Sequence, residues 1–207
     1  MTDIYQNFEE LSLNTQESVD FRILTRKKES MFGIFAPHGG KIEHGTGQIA
    51  NAIAGDEHAY YCFEGLKPLS HDLHITSNRF DEPTALLMAG QVEIVITLHG
   101  AYGKKPYIYI GGLHDELKEK FIEKLTIENF DADHDPSPTR QGKGKTNICN
   151  RGKQKRGVQI EMTQGFRKSL FNEPDYNHTY WRPNKRFTLF VETIREVLHK
   201  QSGHYHN

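Results

Sequence analysis

The sequence predicts an α/β fold, a single-domain mixed β-sheet flanked by helices, and three observations carry that expectation. Short apolar runs bounded by turn residues recur along the chain, as buried strands do, and helical patterns lie between several of them. No internal repeat, heptad series or Gly/Ser linker marks a boundary, so one domain is expected over residues 1–207, less ordered at 1–20 and 200–207. Phe, Leu, Ile and Val make up about a quarter of the 207 residues, which supplies a sizeable core.

Taken in order, Met31 to Ala36 reads as a buried strand that ends at Pro37-His38-Gly39-Gly40 and opens into a loop. Thr46 then caps a helix running through about Ala54. Further strands are expected at His58 to Phe63, Val92 to Leu98, Tyr107 to Ile110 and Gly157 to Met162. Two helices are the clearest. Asp115 to Leu125 carries Leu117, Phe121, Ile122 and Leu125 on one face, and Phe187 to Leu198 repeats Phe190, Val191, Ile194, Val197 and Leu198 at three- and four-residue spacings. Both faces call for a sheet to cover, and Pro183 suits the first turn of the last helix.

Several function classes are excluded early. No apolar run approaches the roughly 18 residues needed to span a bilayer, and Met1 to Ser30 is polar where a signal peptide needs an apolar stretch. Cytosolic synthesis and no membrane partner are therefore expected. Cys62 and Cys149 lack a Cys-x-x-Cys spacing, so neither a disulfide framework nor a thiolate zinc site is indicated. The net charge is −1, but Arg140 to Arg156 holds seven basic and no acidic residues against −8 over the remainder. That segment reads either as a mobile solvated loop or as a rim that binds a polyanion. His199 to Asn207, with three histidines in a polar setting, reads as a frayed tail.

With 12 histidines in the chain, an imidazole-ligated metal is worth seeking. His38 and Glu43 stand five apart in a turn softened by Gly39 and Gly40, so an imidazole nitrogen and a carboxylate oxygen are able to approach one ion at about 2 Å, as zinc requires. His44 is the rival donor. His99 supplies a third ligand, because it follows the Val92 to Leu98 strand at the carboxyl end, where open α/β sheets place their sites. Three ligands leave a position for water, and that water needs a carboxylate to accept its proton. Glu161 is the candidate, an ionisable residue inside an apolar strand. Asn78-Arg79 offers an amide beside a guanidinium fork for a substrate carboxylate.

Read in order, His38, Glu43, Asn78-Arg79, His99 and Glu161 resemble the zinc carboxypeptidase superfamily, in which a ligand pair precedes Asn-Arg, a second histidine and a general-base glutamate. That superfamily usually spaces its first pair three apart, and the spacing of five here marks a divergent branch. The segments Pro37-His38-Gly39-Gly40 to Gly45-Thr46, Leu98-His99-Gly100, Asn147 to Gly152 and Gly157 to Met162 resemble poly-γ-glutamate hydrolases, notably those of bacteriophages, and the likeness covers roughly Arg22 to Leu198.

The resemblance implies a zinc carboxypeptidase-like fold, one Zn2+ held by His38, Glu43 and His99, and Glu161 as general base. It implies hydrolysis of γ-glutamyl amide bonds in poly-γ-glutamate, a dense polyanion whose free α-carboxylates Arg79, Arg151 and Arg167 would pair with. A phage-encoded member would act outside the cell after host lysis, as a monomer. Two rivals remain at this point. One is a zinc carboxypeptidase or amidase acting on a small acylated amino acid. The other is a nucleic-acid-binding protein using the basic segment with Tyr176, Tyr180 and Trp181 as stacking surfaces, which the −8 remainder disfavours by repelling a long phosphate backbone.

Overall fold

The apolar runs fold as strands of a mixed sheet in the computed structural model, which describes residues 3–203. In chain order the elements are α1 (Phe8–Asn14), β1 (Phe21–Arg26), β2 (Phe32–Gly40), α2 (Thr46–Ala54), β3 (Ala59–Gly65), α3 (Pro83–Gln91), β4 (Ile94–Ala101), β5 (Ile108–Gly112) and α4 (Asp115–Ile127). There follow β6 (Ala132–His134), β7 (Val158–Thr163), α5 (Gln164–Ser169), β8 (Phe171–Asn172), β9 (Arg182–Pro183) and α6 (Lys185–Gly203), with single 3-10 turns at Ser70–Leu73 and Ile148–Arg151. Among the described residues, seven strands form one sheet in the order β1-β3-β2-β4-β7-β5-β6, and β8 pairs with β9. The central β3, β2, β4 and β7 run parallel, β1 pairs antiparallel with β3 and β5 antiparallel with β7, and β6 runs parallel to β5.

The parallel strands are buried on both faces, which is why they read as unbroken apolar runs. Alternation decides which helix each residue meets. Ile94, Ile96, Leu98, Val158, Ile160 and Met162 join the core beneath α2, α4 and α6. Phe35, Tyr61, Phe63 and Val95 face a second core with Leu11 of α1 and Ala85, Met88 and Ala89 of α3. Along β4 and β7 the next residues on that second face are Thr97, His99, Gln159 and Glu161, so the apolar layer gives way to polar groups toward the carboxyl ends.

The structure differs from the sequence expectations in identifiable ways. The strand beginning at Phe32 does not stop at Ala36 but continues through Gly40, because a register shift against β3 between Ala36 and Gly39 accommodates Pro37, which has no amide to donate. His99 and Gly100 likewise lie inside β4, since pairing with β7 extends to Ala101 and Thr163. Pro183 sits in β9 and α6 starts at Lys185. Segment 140–156 is folded rather than a solvated loop: Asn147, Ile148, Cys149 and Asn150 are buried, and the Asn150 amide donates to the Gly142 and Gly144 carbonyls. Residues 3–20 are packed too, through α1 and fully buried Leu11. Helix α6 carries His199 through to Gly203, and the rest of the expected tail lies outside the described residues. Both cysteines are free and buried, and burial pushes the Cys62 thiol up to about 12.

Candidate active site

Pairing between β2 and β4 ends at Phe35 and Thr97, and beyond it the two strands part. Both histidines stand in the crevice this opens, at the carboxyl ends of neighbouring parallel strands. The turn after β2 then brings Glu43 back over them. Its amide donates to the His38 carbonyl at 2.9 Å, and the Thr46 hydroxyl donates to the Glu43 carbonyl at 2.8 Å. Gly40, at φ 62°, makes that reversal: a Cβ there would run into the Gly65 carbonyl oxygen.

The convergence is close. His38 Nδ1 lies 3.1 Å from His99 Nδ1, 3.4 Å from one Glu43 oxygen, and the other Glu43 oxygen is 3.7 Å from His99 Nδ1. The imidazoles are 1% and 2% exposed, so no bulk water separates them. His38 Nε2 is 2.8 Å from the Ile75 carbonyl, an acceptor only, so that nitrogen carries the proton and Nδ1 presents a lone pair. His99 Nε2 faces the Ser77 hydroxyl at 3.4 Å. Lone pairs of two imidazoles and a carboxylate crowded together repel unless a cation or a shared proton lies between them, so the donor set fits a divalent metal of zinc's ligand preference. Burial resists ionisation of Glu43, but His38 and His99 together outweigh it and hold the carboxyl well below its usual range. The Gly100 amide also donates to this carboxylate at 2.8 Å.

A further histidine belongs here. The ring of His74, in the loop after β3, lies 4.1 Å from that of His38, and His38, Glu43 and His74 have ligand atoms within 4.8 Å of one another. These three are capable of holding an ion as a set, so the centre has four candidate donors. Burial pulls the His74 pKa down, with the His38 charge next. His44 instead spends Nε2 on the Tyr176 carbonyl at 2.9 Å and stacks on Trp181.

All four donors line a cavity of about 580 Å3, together with Asn78, Arg140, Lys143, Glu161 and Arg167. Glu161 is in register with His99 across β4 and β7, so the two side chains share a face. Burial, followed by the charges of Glu43 and Asp135, pushes the Glu161 carboxyl up to about 8, and the Gln159 amide donates to it at 2.9 Å. Arg167 is buried and fixed: Nε donates to the Met162 carbonyl and Nη1 to the His44 carbonyl at 2.7 Å. Gly100 permits that placement, since a Cβ there would stand 2.6 Å from the guanidinium carbon.

The other two arginines lie elsewhere. Arg79 is bound by Asp3 and Gln6 of the amino-terminal segment and does not line the cavity, and neither does Arg151, which ends the 3-10 turn after Asn147. Sequence reasoning missed His74, Gln159 and Arg140. Gln159 was findable, because it sits two residues before Glu161 on the same face of a strand. His74 lies in an aperiodic loop with no such signal. Arg140 looked like part of a charge run, whereas its guanidinium grips Asp135 through two bonds of 3.0 Å and stands over Tyr109.

Comparison with known proteins agrees with this geometry. Residues 5–193 match the family model described as poly-gamma-glutamate hydrolase. The UPF0714 protein YndL of Bacillus subtilis (strain 168) is 39% identical over 202 residues, covering 95% of this chain and 78% of YndL. The UPF0714 protein YmaC of the same organism is 32% identical, covering 96% of this chain and 85% of YmaC. Among solved structures, zinc-free YndL superposes with a TM-score of 0.91, covering 97% of this chain and 99% of that one. A bacteriophage poly-γ-glutamate hydrolase also gives 0.91, at 29% identity over 98% of this chain and 99% of its own. The chain is thus a member of the poly-γ-glutamate hydrolase family, with a mixed α/β sheet flanked by helices.

Proposed function

We propose that this protein is a zinc-dependent hydrolase that cleaves γ-glutamyl amide bonds of poly-γ-glutamate. The observation that carries the proposal is the mutual approach of His38 Nδ1, His99 Nδ1 and the Glu43 carboxylate within 3.1 to 3.7 Å at the bottom of a polar cavity. His38, Glu43 and His99 hold one Zn2+, and the existence of a zinc-free form of YndL, at 39% identity, supports that choice of metal. Bound there, zinc supplies Lewis acidity toward the scissile carbonyl and the attacking water.

The remaining chemistry falls to the chain's own side chains. Glu161 accepts the proton of the attacking water and later delivers it to the leaving amine; burial raises its proton affinity, and a cation beside it would favour the carboxylate form that acts as acceptor. Gln159 fixes the Glu161 rotamer through its 2.9 Å bond. Arg167, anchored at Nε and Nη1, turns its remaining nitrogen to a substrate carboxylate or the developing oxyanion, and Asn78, which lines the same cavity, contributes an amide. Lys143, which lines the cavity, attracts the polymer. In a phage setting such an enzyme, working as a monomer outside the cell after lysis, removes a host's capsule polymer.

Incubating the zinc-loaded protein with poly-γ-glutamate and sizing the products tests the proposal. A fall in chain length, abolished by His38→Ala or His99→Ala together with zinc content and retained in His44→Ala, is expected. Turnover of small acylated amino acids with intact polymer left uncut would instead favour the small-substrate amidase.

A further inference from the structure

The amino-terminal segment reaches the metal centre from 71 residues away in sequence. Asp3 has a side chain only 1% exposed, a burial that a carboxylate tolerates only when every oxygen is partnered. Its Oδ1 accepts from His74 Nδ1 at 2.6 Å, and its Oδ2 accepts from the Thr76 amide at 2.7 Å and from Arg79. Arg79 in turn donates to Gln6, so one guanidinium staples residues 3 and 6 onto the loop that carries His74. Asp3 is acceptor-only, so His74 must carry its proton on Nδ1, and Nε2 is the nitrogen left for a metal. The His74 ring lies 4.1 Å from that of His38, tilted by 34°, with a ligand atom within 4.8 Å of those of His38 and Glu43.

We propose that Asp3, clamped by Arg79, is a positioning residue of the metal centre: it fixes His74 in the Nδ1–H tautomer so that Nε2 would serve as a donor added to His38, Glu43 and His99, with room for water kept by expansion to five coordination, which couples metal capture to docking of the amino-terminal segment. The proposal rests on the zinc assignment above and extends it. Carboxylate–histidine–metal arrangements owe part of their affinity to such an outer partner. It also gives Arg79 a role in the site without any contact with substrate.

Competition of the full chain with a chromophoric chelator, measured for zinc, tests this. Asp3→Asn is expected to weaken zinc binding about 10- to 100-fold. His74→Gln should weaken it at least as much, and the double variant should be no worse than His74→Gln alone. Nitrogen-15 NMR of the zinc-free protein should show His74 as the Nδ1–H tautomer in the parent and a mixture in Asp3→Asn, a signature that loss of fold stability alone does not produce. Parental zinc affinity in both single variants overturns the proposal, as does an Asp3→Asn effect that adds fully to His74→Gln. If the parent binds zinc and His99→Ala abolishes it while His74→Gln does not weaken it, only this inference falls. If the parent binds no zinc, the underlying zinc assignment falls with it.

Discussion

Glu161 shows how one residue's environment sets both chemistry and stability. With Glu43 ionised nearby and little water, its carboxyl is pushed up to about 8 in the metal-free protein, against about 4.5 for an ordinary glutamate. Between those values the folded state binds the Glu161 proton and the unfolded state does not, so this residue's contribution to metal-free stability falls as pH rises from about 4.5 to 8 and levels off above, against the opposite slope that His44, His58, His74 and His114, all lowered by burial, add below their ordinary value of 6.5. A cation among His38, Glu43 and His99 favours the carboxylate and should erase the Glu161 slope. Glu161→Gln cannot titrate, so the difference in metal-free stability between parent and variant should shift against the parent as pH rises from about 4.5 to 8, as urea unfolding of both across this range would show. The same variant should retain zinc and lose about 10²-fold or more in rate, measured on one preparation. Loss of zinc would make Glu161 a ligand, and near-normal turnover would make it a structural rim carboxylate.

At the scale of elements, the site depends on a strand that turns sharply after its last residue. Gly40→Ala would force a side chain into a φ of 62° and against the Gly65 carbonyl, so the variant should be less stable by about 2 kcal/mol or more and bind zinc more weakly, since the turn delivers Glu43 to the histidines. Chemical unfolding and chelator competition on the same protein check both. Much of this level was legible in the sequence. The runs at residues 92–98 and 157–162 are strands because both faces are buried, and a polar residue at the end of such a run stands out, which is how His99 and Glu161 were found. Strand ends were not legible, because pairing with β7 carries β4 past its apolar residues and a register shift carries β2 through a proline. His74 and its partner Asp3 were hidden for a different reason. Their approach depends on how an aperiodic loop and the amino terminus pack against β2, and no local spacing encodes that contact.

Across the whole molecule, the proposed activity predicts that capture of the polymer and its cleavage are separable. Lys143, Lys145, Lys155 and Arg156 are exposed, while Arg140 and Lys153 of the same stretch are paired with Asp135 and Glu93. Of these, Lys143 lines the cavity and Lys145 follows it, whereas Lys155 and Arg156 precede β7 at its amino end, so Lys143 and Lys145 should draw a polyanion in over distances comparable to the Debye length, about 10 Å at 0.1 M salt. Steering of this kind depends on charge density and is indifferent to linkage. Poly-α-glutamate carries the same charge per residue, so it should compete with poly-γ-glutamate for the protein and yet resist cleavage, because in the proposed mechanism only the γ-linked chain would present its free carboxylates to Arg167 with the scissile amide near Glu161. Initial rates at increasing salt should show KM for the γ-polymer rising several-fold between 0.05 and 0.5 M, roughly as screening dictates, with kcat little changed. Reversing two exposed charges on the cavity side, Lys143→Glu with Lys145→Glu, should raise KM at low salt and flatten its salt dependence. A KM insensitive to both treatments would place polymer recognition wholly inside the cavity, and cleavage of the α-linked polymer at a similar rate would remove the basis for γ-specificity.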